Sequence, residues 1–150
     1  MRPRTVSLLI LAAAAILLPS SLSAQETDAR ETLSVERLLE VLADVEAWTE
    51  ATVELRQAIK SYDQEGFVRA ADGLRARFDP IMVLMATTNP AAEVRQAAVL
   101  LLMATKGVEL ALWHYIYGAL SSQTTSYDHG DVLLKAAMSQ LTGARTLFDR

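Results

Sequence analysis

Residues 94–120 read VRQAAVLLLMATKGVELALWHYIYGAL, and this segment decides the fold. From residue 97 to 120 the only charged or imidazole side chains are Lys106, Glu109 and His114. The apolar residues fall into two series. The first is Val94, Ala98, Leu101, Thr105, Val108, Leu112, Tyr115 and Ala119. The second is Val99, Met103, Lys106, Leu110, Trp113, Tyr117 and Leu120. Steps of three and four mark helix faces, because a helix turns about 100° per residue. The two series are five positions apart, or about 140° around the axis. A surface helix needs one apolar stripe, whereas one that is apolar nearly all round is covered on several sides. This third helix is therefore expected to be central in its own domain or to carry a self-association face. The second series is the candidate interface.

Flanking segments supply its neighbours. Ser34 can cap a first helix, with Glu36 in its first turn to complement the dipole. The stripe Leu38, Val41, Val45, Trp48, Thr52, Leu55, Ile59 and Tyr62 carries that helix to about residue 62. Asp63-Gln64-Glu65-Gly66 signals a turn. A second helix follows on Phe67, Ala71, Leu74, Phe78, Ile81 and Met85. Pro80 falls inside it, which predicts a kink or restart near Asp79. Asn89 and Pro90 form a start signal for the third helix. Ser121 to Asp131 reads as a loop, with Asp128 or Asp131 capping a last helix. Its face is Leu133, Ala137, Leu141, Ala144 and Phe148. No segment alternates as a strand does. The expected fold is all-α, an antiparallel up-down four-helix bundle over residues 34–150.

The start of the chain gives an address. Arg2 and Arg4 precede an apolar run from Val6 to Leu18, broken in polarity only by Ser7. Pro19 ends the run, and Ser20-Ser21-Leu22-Ser23-Ala24 is a small-residue tail. That order describes a secretory signal peptide over residues 1–24, cut after Ala24. The run is shorter than the roughly 20 residues that a spanning helix needs. Residues 25–33 read as a flexible lead-in. The expected protein is thus secreted or periplasmic, with no stable membrane insertion once the leader is removed.

Composition then narrows function. Removing the leader takes two arginines from 14 basic residues and none of the 18 acidic ones, so net charge moves from −4 to −6. Nucleic acid and anionic lipid need clustered Lys and Arg, so neither is an expected partner. The chain has no cysteine, which removes disulfides, Fe–S clusters and covalent haem from consideration.

Candidate chemistry rests on few residues. His114, between Trp113 and Tyr115, could ligate a metal or a noncovalent haem, with Met82, Met85 or Met103 as a second axial ligand. The plainer reading is a helix-edge imidazole beside core aromatics. Asp128, His129 and Asp131 could hold a metal in a loop, and Asp and Gly there also serve simply to start a helix. No Glu-x-x-His, His-Glu-x-x-His or phosphate-binding glycine loop occurs. Lys106, three residues before Glu109, either neutralises it, sets the register of an interface, or reaches into water along its stem.

Two short stretches resemble known families. Ala58, Gly66-Phe67-Val68-Arg69-Ala70, Leu74 and Pro80 resemble the turn region of a tetratricopeptide repeat, which implies a peptide-binding helical hairpin. Leu141-Thr142-Gly143-Ala144-Arg145 is similar to the Leu-Thr-x-x-Gln element of small periplasmic helical stress chaperones, with Arg145 in place of the glutamine. The function expected from the whole chain is non-catalytic binding. The first partner to expect is another copy of the chain or another protein. No cofactor is expected, and a haem-like or metal site at His114 is the alternative.

Overall fold

A computed structural model describes residues 32–149. The leader and the lead-in as far as residue 31 lie outside them, as does Arg150. The described residues are helical almost throughout. The elements are β1 (Thr32–Leu33), α1 (Val35–Gln57), α2 (Gln64–Arg75), α3 (Phe78–Thr87), β2 (Asn89–Pro90), α4 (Arg95–Ser121) and α5 (Thr124–Phe148). Single 3₁₀ turns at Ile59–Ser61 and Ala92–Val94 lie between them.

Local chemistry sets several of these boundaries. The Ser34 side chain accepts from the Arg37 amide at 3.2 Å, and Asp63 accepts from the Gly66 amide at 2.7 Å. Each satisfies a donor that the first helical turn leaves free. The expected second helix is two, α2 and α3. The break falls at Ala76–Arg77, ahead of the expected Asp79. A proline ring collides with the carbonyl four residues back, which for Pro80 is Ala76. Breaking there leaves Pro80 in the first turn of α3, where its missing N–H goes unused.

Two boundary expectations are corrected by tertiary contacts. Asn89 and Pro90 do not start the third helix. They pair in parallel with Thr32 and Leu33, in the register Thr32 to Asn89 and Leu33 to Pro90. Leu33 is buried, so the packed chain begins before the Ser34 cap. The third helix, α4, starts at Arg95. The expected loop from 121 to 131 is also shorter. Only Ser122 and Gln123 separate α4 from α5, and Ser122 turns the chain with a left-handed backbone (φ 57°). Asp128 and Asp131 therefore lie within α5 and cap nothing.

Helix α4 occupies the centre and packs against α1, α2, α3 and α5. Close approach of α5 is set by glycines. Gly118 faces the ring of Tyr127, Gly130 faces the ring of Tyr115, and Gly107 faces Ala137. The core is formed by Leu38, Val41, Leu42 and Val45 of α1, Phe67 and Phe78, and Leu101, Val108, Leu112 and Tyr115 of α4. Trp48 meets Phe78 edge to face at 5.3 Å. Buried hydroxyls are satisfied within their own helices. Thr49, Thr52 and Thr105 each donate to the carbonyl four residues back, at 2.6–2.8 Å. Among the described residues no buried side-chain polar atom lacks a partner.

Candidate functional site

The two stripes of α4 have opposite fates. The first is internal: Leu101, Thr105, Val108, Leu112 and Tyr115 are fully buried, and Val94 and Ala98 nearly so. The second is open along its whole length. Val99 is 50% exposed, Met103 50%, Leu110 39%, Trp113 48%, Tyr117 55% and Leu120 62%. Lys106 is exposed within the same row. The segment Ala92–Ser121 is long and apolar enough to cross a membrane by composition, yet half of its most apolar window is buried inside the fold. Its high apolar content comes from being core on one side and bare on the other.

Lys106 and Glu109 form an ion pair at 2.5 Å. The Glu109 carboxylate is nearly buried and the lysine side chain is half exposed. Of the three readings of Lys106, neutralisation of Glu109 is thus realised. On the flank of the stripe, the Arg75 guanidinium lies over the Trp113 ring at 4.8 Å. Such cation–π contacts pin the indole on the α2 side.

The structure splits the expected loop cluster of Asp128, His129 and Asp131. Asp131 belongs to a bolt joining three helices. Arg56 of α1 donates to both of its carboxylate oxygens at 2.9 Å, and the Tyr115 hydroxyl donates to Oδ1 at 2.8 Å. The Arg56 guanidinium also lies over the rings of Tyr115 and Tyr127. Burial, then the bond to Asp131, raises the Tyr115 phenol well above its usual range. The same hydrogen-bonded carboxylate holds Arg56 more firmly protonated. A second tie, Arg145 to Glu46, links the last turn of α5 to the middle of α1 through two donors.

His129 turns the other way, toward His114. Their ring centres are 5.7 Å apart, with the rings 77° from coplanar. Both line a groove beside the open stripe, together with Leu110, Trp113, Tyr117 and Ser126. Sequence spacing treated the two histidines as separate candidates fifteen residues apart. Nothing in that spacing could pair them, because the loop reading of 121–131 hid the helix that does so. Asp128 is exposed on α5. Among the described residues no three His, Cys, Asp or Glu side chains gather as a metal cluster. Met103 sits on the same helix as His114, about 16 Å along the axis, too far to share one haem iron with it.

The chain matches no protein-family model, no curated protein and no solved structure.

Proposed function

We propose that this protein is an exported, non-catalytic binding protein. It acts as a homodimer joined along the open stripe of α4, and each copy is an antiparallel up-down helical bundle. The observation that carries this reading is the row Val99, Met103, Lys106, Leu110, Trp113, Tyr117 and Leu120, exposed from end to end.

Its spacing alternates four and three, the heptad rhythm of a helix seam. The row extends about 32 Å along the helix. With a full residue area of about 200 Å² each, its six apolar members leave about 600 Å² bare. A standard interface buries about 800 Å² per partner, so the row and its immediate flanks are enough for a stable dimer. An apolar strip of this size stands at the upper end of what monomers expose, where patches are often functional.

The position of Lys106 selects the orientation. In a parallel pairing Lys106 meets its own copy, and like charges repel at short range. In an antiparallel pairing centred on Leu110, Lys106 meets Trp113, Met103 meets Tyr117, and Val99 meets Leu120. Arg75 covers one face of Trp113, and a lysine over the other face is attractive. The antiparallel seam is therefore the one proposed.

Sedimentation or native mass spectrometry of the protein exported with its own leader tests this. A dimer beginning at Gln25 is expected. Leu110→Glu places a charge at the seam centre and should give a folded monomer, with an unchanged far-UV circular dichroism spectrum. A monomeric wild type at micromolar concentration refutes the dimer. If Leu110→Glu stays dimeric, the seam lies elsewhere. Recovery of the wild type only with lipid vesicles would assign the strip to a membrane surface instead.

A further inference from the structure

We propose that His114 and His129 form a two-imidazole chelate for a divalent transition-metal cation, with Cu²⁺ the tightest. Both ligands come from one copy of the chain.

The fold brings together the chain's two histidines, from facing helices, at a ring-centre separation of 5.7 Å. A metal–imidazole bond is about 2.0–2.1 Å, which puts each ring centre about 3.2 Å from a bound ion. Two such rings then lie about 5.2 Å apart at a tetrahedral angle and about 6.4 Å apart when opposed. The observed separation falls between these limits, so the two rings stand within reach of a single ion.

The surroundings leave both rings available. Among the described residues neither imidazole has a hydrogen-bond partner, whereas Asp131, two residues from His129, is held by Arg56 and Tyr115. His114 is half buried and His129 exposed, so the site is open to solvent on one side. Open coordination positions would be filled by water. Both ligands stand on long helices packed through Gly130 and Gly118, which fixes their spacing in advance.

The donor set chooses the metal. Imidazole suits Cu, Ni and Zn, and affinity among divalent ions peaks at copper. Calcium and magnesium take oxygen ligands and have little to bind here. With two protein ligands the site is a labile one, suited to holding or passing an ion rather than to building the fold.

Cu²⁺ titration of the untagged protein, followed by calorimetry and by the visible absorption of the copper complex, tests the assignment. One ion per chain is expected, with Ni²⁺ and Zn²⁺ weaker in that order and Mg²⁺ without effect. His114→Gln and His129→Gln should each weaken Cu²⁺ binding at least tenfold, and the double variant should abolish it. Single variants that bind as tightly as the wild type overturn the chelate. So does a double variant with unchanged binding, or one ion per two chains, which would mean bridging between copies. If His114→Gln unfolds the protein, the exposed His129→Gln carries the test alone.

Discussion

Replacing Gly130 by alanine should destabilise the protein strongly, although alanine is the better helix former. Gly130 lies inside α5, where Gly→Ala alone favours the helix by about 1 kcal/mol. A methyl group there would stand 2.7 Å from Cδ1 of Tyr115, closer still to its Cε1, and 3.1 Å from the Ala111 carbonyl oxygen. Neither neighbour yields easily. Ala111 O is backbone of the central helix, and Tyr115 is fully buried and held by Asp131. Overpacking of a rigid site costs about 3 kcal/mol, the upper end of the usual range. Displacing the Tyr115 hydroxyl from Asp131 costs about 1 kcal/mol more. The balance is a loss of about 3 kcal/mol, or about 12 °C in Tm for a domain of this size.

Two internal controls separate this from a general effect of alanine. A methyl group at Gly73 meets nothing within 4 Å, so Gly73→Ala should raise Tm by about 2–4 °C. At Gly118 the ring of the half-buried Tyr127 is 3.0 Å away and can shift, so gain and loss should nearly cancel. Thermal melts followed by far-UV circular dichroism, with denaturant titrations for ΔG, measure all three. A Gly130→Ala protein that melts at or above the wild type would falsify the packing of α5 on α4. It would also remove the basis for the histidine pair next to it.

Two further outcomes are expected. The chain lacks cysteine, so single cysteines report seam geometry cleanly: Leu110→Cys should crosslink between copies, whereas Met103→Cys alone should not. In the antiparallel seam the two 103 positions lie about 21 Å apart along the axis, beyond disulfide reach, and efficient Met103→Cys crosslinking would establish the parallel pairing instead. Stability should also fall above about pH 10, where an unfolded chain's tyrosines ionise and Tyr115, its phenol raised by burial and by Asp131, keeps its proton in the fold. The folded state then binds more protons than the unfolded one, so stability is full below that pH and declines as pH rises. Denaturant titrations across alkaline pH should show a shallower decline for Tyr115→Phe than for the wild type, and equal slopes would contradict this role.

Much of the helical content was legible in the chain because helix formation by an amphipathic segment leaves a local, periodic record. Ser34 marked the start of α1, and the apolar stripes, those of α2 and α3 included, named most of the residues that are buried. The same periodicity singled out the second stripe of α4 as a row needing cover. It could not say whether that row was core or surface, since both demand apolar residues at the same spacing.

What the sequence by itself determined is therefore the all-α class, the inward faces and the unusual central helix. Tertiary structure decided the rest, through contacts between residues far apart in the chain. The pairing of Thr32–Leu33 with Asn89–Pro90 overrode a helix-start signal that was locally sound. The seating of Tyr127 and Gly130 on α4 made helix of a stretch whose Asp and Gly favour a turn. That added stretch of helix sent Asp131 to Arg56 and Tyr115, and His129 to His114. Local propensity is worth tenths of a kcal/mol per residue, while burying an aromatic ring against a neighbouring helix contributes about 1.5–3 kcal/mol. Where the two disagreed packing prevailed, and it brought the two histidines together.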